Sequence, residues 1–168
     1  MIRLIVATIA LIIMSIGFAH AGTVRNIEIY EYGIYDSPEG IDVGLSRQGV
    51  VNTELDHIEL LQSTRTVVAQ IGVQFGFRFR ITGSPDGAPV PITIVMKFPE
   101  PGIAALNSTR RFVDDDFSYV QAMNSEDFYT FTFDRAEEMV PGLWTFEVWV
   151  GDRKFGEETF NVILPPIS

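Results

Sequence analysis

Val73-Gln74-Phe75-Gly76-Phe77-Arg78-Phe79-Arg80-Ile81 is the stretch that decides the fold class. Val73, Phe75, Phe77, Phe79 and Ile81 alternate with Gln74, Gly76, Arg78 and Arg80. Successive side chains of a strand point to opposite faces, so this run has one apolar face and one wet face. A surface helix would instead repeat its apolar positions every three to four residues. Ser84-Pro85-Asp86-Gly87 follows with turn chemistry. Beyond it Val90, Ile92, Ile94, Met96 and Phe98 share a face, with Thr93 and Lys97 opposite. The two runs are expected to pair as an antiparallel hairpin. Pro99-Glu100-Pro101-Gly102 ends the second, because Pro cannot donate to a ladder.

The same alternation recurs downstream. Tyr129, Phe131 and Phe133 face one way and Thr130 and Thr132 the other; Trp144, Phe146, Val148 and Val150 oppose Thr145, Glu147 and Trp149. Gly151-Asp152 reads as a hairpin turn into a last strand, Lys154–Ile163, whose parity slips near Gly156 and so predicts a bulge. Between these runs Ile103–Ser125 is poorly patterned and predicts loops with one short strand around Phe117–Val120. Upstream, Val24–Tyr35 is a strand with a parity slip between Ile29 and Tyr30, and Asp36–Gly49 reads as loop. Leu55–Leu61 fits helix or strand, and strand is favoured through Thr66–Ala69.

Composition agrees with sheet. From Gly22 onward Val and Ile total 27 and Thr 11, against 7 Leu and 6 Ala, the balance of pleated surfaces rather than amphipathic helices. Seven or so short strands with Pro/Gly turns predict an all-β, antiparallel β-sandwich, with a closed barrel as the competing architecture. The chain has no Cys, hence no disulfide, and carries 12 Lys+Arg against 22 Asp+Glu. That acidic balance argues against nucleic acid, whose phosphates need clustered cations.

Met1-Ile2-Arg3, the apolar run Leu4–Phe18 and the small-residue site Ala19-His20-Ala21 form, in that order, a cleavable signal peptide over residues 1–21. The apolar run is shorter than the ~20 residues a spanning helix needs, so no stable membrane insertion is expected after cleavage. Residues 22–168 then form a single β-sandwich domain, with 22–71 less regular and 72–163 best patterned. The expected location is the periplasm or the medium.

Gly72–Gly87 (GVQFGFRFRITGSPDG), Phe98–Gly102 (FPEPG) and Val140–Val162 (VPGLWTFEVWVGDRKFGEETFNV) carry a further signal. This pattern resembles a family of small exported bacterial domains known only as a domain of unknown function. The resemblance implies an Ig-like sandwich at the envelope, and it supplies no catalytic residue. The Cys pair and the corner Tyr of antibody domains are missing.

Candidate sites are few. His57 is the one imidazole left after processing, and neither a Cys nor a G-x-S-x-G elbow accompanies it, so no nucleophile–base set can be assembled. A pair of carboxylates remains as a hydrolase alternative. Zinc lacks its Cys/His ligands. Asp114-Asp115-Asp116 is the densest acidic run and offers oxygen ligands for calcium, although the spaced EF-hand pattern is absent; a solvated charged loop is favoured. No catalytic, metal or cofactor site is therefore assigned.

Arg78 and Arg80 share an outward face and could grip an anion, but cross-strand pairing with an acid such as Glu147 is favoured. Trp144 belongs with the core. Trp149, beside Glu147 on the other face, is the best handle for a sugar or a protein. The expected binding surface is Trp149, Glu147, Arg78 and Arg80, on a non-catalytic module whose partner at the bacterial envelope is a protein or glycan. A third reading is a structural or chaperone-like subunit that pairs through an exposed edge strand.

Two outcomes are expected. N-terminal sequencing of the native protein reads from Gly22, whereas an intact Met1–Arg3 start in the membrane fraction contradicts the signal peptide. Thermal unfolding is unchanged by EDTA; a drop of several degrees restored by calcium would instead place a site at Asp114–Asp116.

Overall fold

The computed structural model describes residues 22–36, 41–48, 51–54, 58–104 and 109–166. Residues 1–21, where the signal peptide is expected, and His57 lie outside these residues. In chain order the strands are β1 (Thr23–Asp36), β2 (Ile41–Leu45), β3 (Val51–Glu54), β4 (Glu59–Gln62), β5 (Thr66–Val68), β6 (Gln74–Ser84) and β7 (Pro89–Lys97). They continue with β8 (Ile103–Ala104), β9 (Arg111–Phe112), β10 (Asp114–Ala122), β11 (Glu126–Thr132), β12 (Gly142–Val150) and β13 (Arg153–Ile163). Sheet I has the order β11-β6-β1-β4, and sheet II has the order β10-β7-β12-β13-β5. Small hairpins β2–β3 and β8–β9 stand apart from both. Two open sheets, rather than a closed barrel, make this a sandwich.

Alternation on each strand builds the core. Phe75, Phe77, Phe79 and Ile81 of β6 are buried in sheet I, and Ile92, Ile94, Met96, Trp144, Phe146, Val148 and Phe160 are buried in sheet II. The two inner faces meet through aromatic edges: Phe75 lies 5.8 Å from Trp144, 5.8 Å from Phe146 and 5.2 Å from Phe160, centroid to centroid. Such spacings fall in the range where tilted and edge-on aromatic pairs attract beyond simple area burial. Phe98, Phe131 and Phe133 complete the ring around Trp144. The Trp144 indole N–H is satisfied by the Val140 carbonyl at 2.8 Å, so the ring is buried without an orphaned donor.

The expected bulges are present. The β1–β6 register slips between Ile29 and Glu31, which leaves Tyr30 as the extra residue. The β12–β13 register slips between Val148 and Trp149, which leaves Phe155 extra beside Gly156. Each bulge lets one strand keep apolar side chains inward across a change of parity.

Other expectations are corrected. β6 and β7 do not pair: they lie in facing sheets, each between two other partners. Both runs have equally apolar inner faces, and such faces are buried as well by opposing one another as by lying side by side. Asp36–Gly49 is not all loop, since it contains β2, paired with β3. The run favoured as one strand through Thr66–Ala69 is two, with β4 on the edge of sheet I and β5 on the edge of sheet II. β5 also pairs in parallel with β13, so the sandwich is not wholly antiparallel.

Ile103–Ser125 holds more strand than expected, because β10 runs the full Asp114–Ala122 beside β7. Three Asp residues hide this strand from propensity reasoning, as Asp is depleted in sheets. Here they serve the sheet edge instead: Asp115 is fully buried, accepting from the Ser46 hydroxyl, from the Gln48 N–H at 2.8 Å and from the Asp116 N–H at 2.8 Å.

Replacing Trp144 with Ala removes the ring at the centre of this contact and leaves a cavity. The expected cost is ~3–5 kcal/mol, a large share of the ~5–15 kcal/mol that holds a domain. Denaturant melts should show a strongly destabilised or poorly folded variant; a wild-type midpoint would contradict the packing described.

Candidate functional site

The parity that buries Trp144, Phe146 and Val148 turns Thr145, Glu147 and Trp149 to the outer face of sheet II. Register fixes their neighbours. Trp149 lies in a row with Ser118, Thr93 and Lys154. Glu147 lies in the next row with Asp116, Val95 and Glu157. Thr145 lies in a third with Asp114, Lys97 and Thr159. Hydroxyl pairs cross strands on either side of the charged row: Thr93 with Ser118 at 2.9 Å, and Thr145 with Thr159 at 3.0 Å. Among the described residues, register places one aromatic side chain on this polar lattice, Trp149.

Glu147 organises the lattice. It points outward yet is only 3% exposed, because its neighbours close over it. Oε1 accepts from Lys97 Nζ at 2.7 Å and from Lys154 Nζ at 3.3 Å, while Oε2 accepts from Trp149 Nε1 at 2.9 Å. Lys154 also bonds Glu157 at 2.7 Å. Burial alone would push the Glu147 carboxyl up, but bonds from Lys97, Trp149 and Lys154 hold it below its ordinary value. It stays charged at neutral pH. The indole of Trp149 is thereby fixed, and the residue is half-buried on the outer face.

Arg78 and Arg80 are on the outer face of sheet I, on the opposite side of the sandwich. Arg78 pairs with Glu31 at 2.9 Å and donates to the Ile58 carbonyl. Arg80 pairs with Glu126 at 2.5 Å and lies over the Tyr30 ring at 5.2 Å. The expected cross-strand ion pairs exist, but their acids are Glu31 and Glu126. Glu147 cannot serve, because it stands in the other sheet. Trp149 and Glu147 therefore come together, and neither joins Arg78 or Arg80.

Asp114 and Asp116 both bond the Arg47 guanidinium, and the Arg47 N–H bonds the Asp116 carbonyl at 2.9 Å. Each acid of the triplet thus grips the Ser46–Gln48 turn. Desolvation pushes the buried Asp115 carboxyl up. Asp127 is pushed up for the same reason, although Tyr119 donates to it at 2.7 Å. Other acids are also taken: Glu158 by Arg65 at 2.5 Å and Glu138 by Arg135 at 2.5 Å.

Sequence reasoning found Trp149 and Glu147 by parity but missed that Lys97 and Lys154 converge on them. The four residues sit on three different strands, so only the pairing order reveals the cluster. The outward Lys97 was a legible half of that signal.

The chain matches the family described as "Domain of unknown function (DUF3859)" over residues 23–162. A similar solved structure is an immunoglobulin-like protein from Pseudomonas aeruginosa, at 25% identity and TM-score 0.54, covering 82% of this chain and 97% of that one. A second, an alkylpurine DNA glycosylase from Pseudomonas fluorescens bound to DNA containing an abasic site analog, has 11% identity and TM-score 0.37. It covers 58% of this chain and 27% of that one, and carries no argument at that distance. No functionally curated protein matches. The sandwich is thus Ig-like, and this chain belongs to the DUF3859 family of domains of unknown function.

Proposed function

We propose that the chain is a non-catalytic, exported β-sandwich module that binds a protein or glycan partner at the bacterial envelope. Its binding face is the outer face of sheet II. The observation that carries this reading is Trp149: half-buried, alone among the described residues as an aromatic on that lattice, and held by its N–H to a buried carboxylate. A large ring fixed before binding loses little entropy on contact, which is why Trp recurs at the energetic centres of interfaces.

The carboxylate-hydrolase alternative receives less support. A hydrolase needs two acids free to face a substrate, whereas Glu31, Glu126, Glu138, Glu147 and Glu158 are each ion-paired. Asp115 and Asp127, the acids with raised carboxyl pKa, are engaged in holding β10 and β11.

Edge pairing is also poorly served on three of the four sheet edges, β10, β11 and β5. On β10 the Asp116 N–H is capped by Asp115 at 2.8 Å and the Ala122 N–H by Gln121 at 3.1 Å. On β11 the Phe128 N–H is capped by Asp127 at 2.8 Å, and on β5 the Thr66 N–H by Thr64 at 3.0 Å. Donors already occupied by side chains cannot recruit a foreign strand.

Trp149→Ala is expected to stay folded, with a denaturant midpoint clearly closer to wild type than that of Trp144→Ala. It is also expected to lose retention of envelope material by the immobilised protein. Retention equal to wild type would place the binding surface elsewhere.

A further inference from the structure

We infer that the end of the outer face of sheet II at Trp149 takes an uncharged, extended sugar chain, with one sugar ring on the indole and the next against the hydroxyls of Thr93 and Ser118. This rests on the reading of that face as the binding face, and it names the class of ligand.

Register lays out the site. Ser118, Thr93 and Trp149 share one row across β10, β7 and β12, and Val120 lies beside Pro91 in the next row, away from Glu147. Val120 is 65% exposed, and Pro91 is exposed too. None of these five side chains is charged. Lys154 closes the row of Trp149, and its ammonium is bound to Glu147 and Glu157.

Charge on the rest of the face is spent within the protein. Lys97 pairs with Glu147, Lys154 with Glu147 and Glu157, and Arg47 with Asp114 and Asp116. Three cations thus meet four carboxylates, in a chain of net charge −10. An anion would meet this excess of acid, and a cation would have to displace a partner already in place. An uncharged ligand does neither.

Footprint separates a sugar from a protein. A standard protein interface takes roughly 800 Å² from each partner. Rows on one face lie about 7 Å apart along a strand, so a footprint of that size centred on Trp149 also covers the row of Glu147 and Glu157. Burying those paired charges carries a desolvation cost. A sugar chain laid along the row of Trp149, Thr93 and Ser118 leaves them in water.

The row also has the chemistry that a sugar needs. The Trp149 N–H is spent on Glu147 at 2.9 Å, which holds the indole, and the electron-rich face of such a ring suits the C–H groups of a sugar. The Thr93 and Ser118 hydroxyls bond each other at 2.9 Å, which leaves a donor and several acceptor sites between them. Neighbouring strands lie about 4.8 Å apart, close to the advance of one sugar ring along an extended chain. A ring on Trp149 therefore puts the next one over that pair.

The test measures binding of cellohexaose and chitohexaose to the full mature chain, with oligogalacturonate as the charged control. The indole N–H signals are followed by NMR at low and high salt. The neutral chains are expected to shift the Trp149 signal, to leave that of Trp144 in place, and to bind equally at both salt concentrations. Trp149→Ala, Thr93→Val and Ser118→Ala, each checked for folding by circular dichroism, provide the second arm. Binding should be lost in the first and weaken about fivefold in each of the others, the effect of one hydrogen bond. The indole shifts and the salt series read the unsubstituted protein, so they decide the matter even if a variant folds poorly.

Binding that falls as salt rises, or equal binding of oligogalacturonate, overturns the uncharged subsite. Sugar binding that is unchanged in Trp149→Ala, or that leaves the Trp149 signal unmoved, overturns the location. No sugar binding, with envelope material lost by Trp149→Ala, refutes the ligand class alone. No sugar binding and wild-type retention of envelope material by Trp149→Ala refutes both the subsite and the binding face.

Discussion

Trp144 and Phe75, packed edge to ring across the gap between the sheets, set the terms for everything else. Neither sheet alone can bury its aromatic face, so the fold exists only where the faces meet. Once Phe75, Phe146, Phe160 and Trp144 are inward, strand geometry leaves no choice for their neighbours. Thr145, Glu147 and Trp149 must be outward. The proposed binding lattice is thus the reverse side of the core, and its positions are inherited from the packing.

A sandwich leaves two open flanks, and this one closes them with polar side chains. On one flank Tyr119 of β10 donates to Asp127 of β11, joining the edges of the two sheets. On the other, Arg65 grips Glu158 with two bonds at 2.5 and 3.1 Å and stacks on the Tyr32 ring at 3.7 Å. With no Cys in the chain, these bonds and the capped edge donors do at the rims what packing does inside. Each is a modest contribution, since a hydrogen bond nets about 1 kcal/mol. Their larger effect is to fix which edges stay single.

What could be read beforehand follows from which forces act along the chain and which act across it. The faces of β6, β7 and β12 were legible because alternation is local: Phe77 is inward for the same reason as Phe75. The bulges at Tyr30 and Phe155 were legible as slips in that alternation. Pairing was not, because β6 has the same apolar face whether β7 lies beside it or opposite it. β10 was obscured because Asp114–Asp116 oppose strand propensity, and only the Ser46–Gln48 turn explains them. The same limit applied to the candidate site. Parity separated Trp149 from Trp144, but the meeting of Lys97, Lys154 and Glu147 needed the order β7-β12-β13.

The division of the two tryptophans by parity is the claim on which both the core and the proposed binding face depend. Hydrogen exchange of the two indole N–H groups, followed by NMR, tests it most directly. Trp144 donates to the Val140 carbonyl inside the core and should exchange only as fast as the whole domain unfolds. Trp149 donates to Glu147 on the outer face and should exchange orders of magnitude faster, through local opening of that contact. Two indoles exchanging at the same slow rate would contradict the account, for Trp149 would then be as deeply enclosed as Trp144.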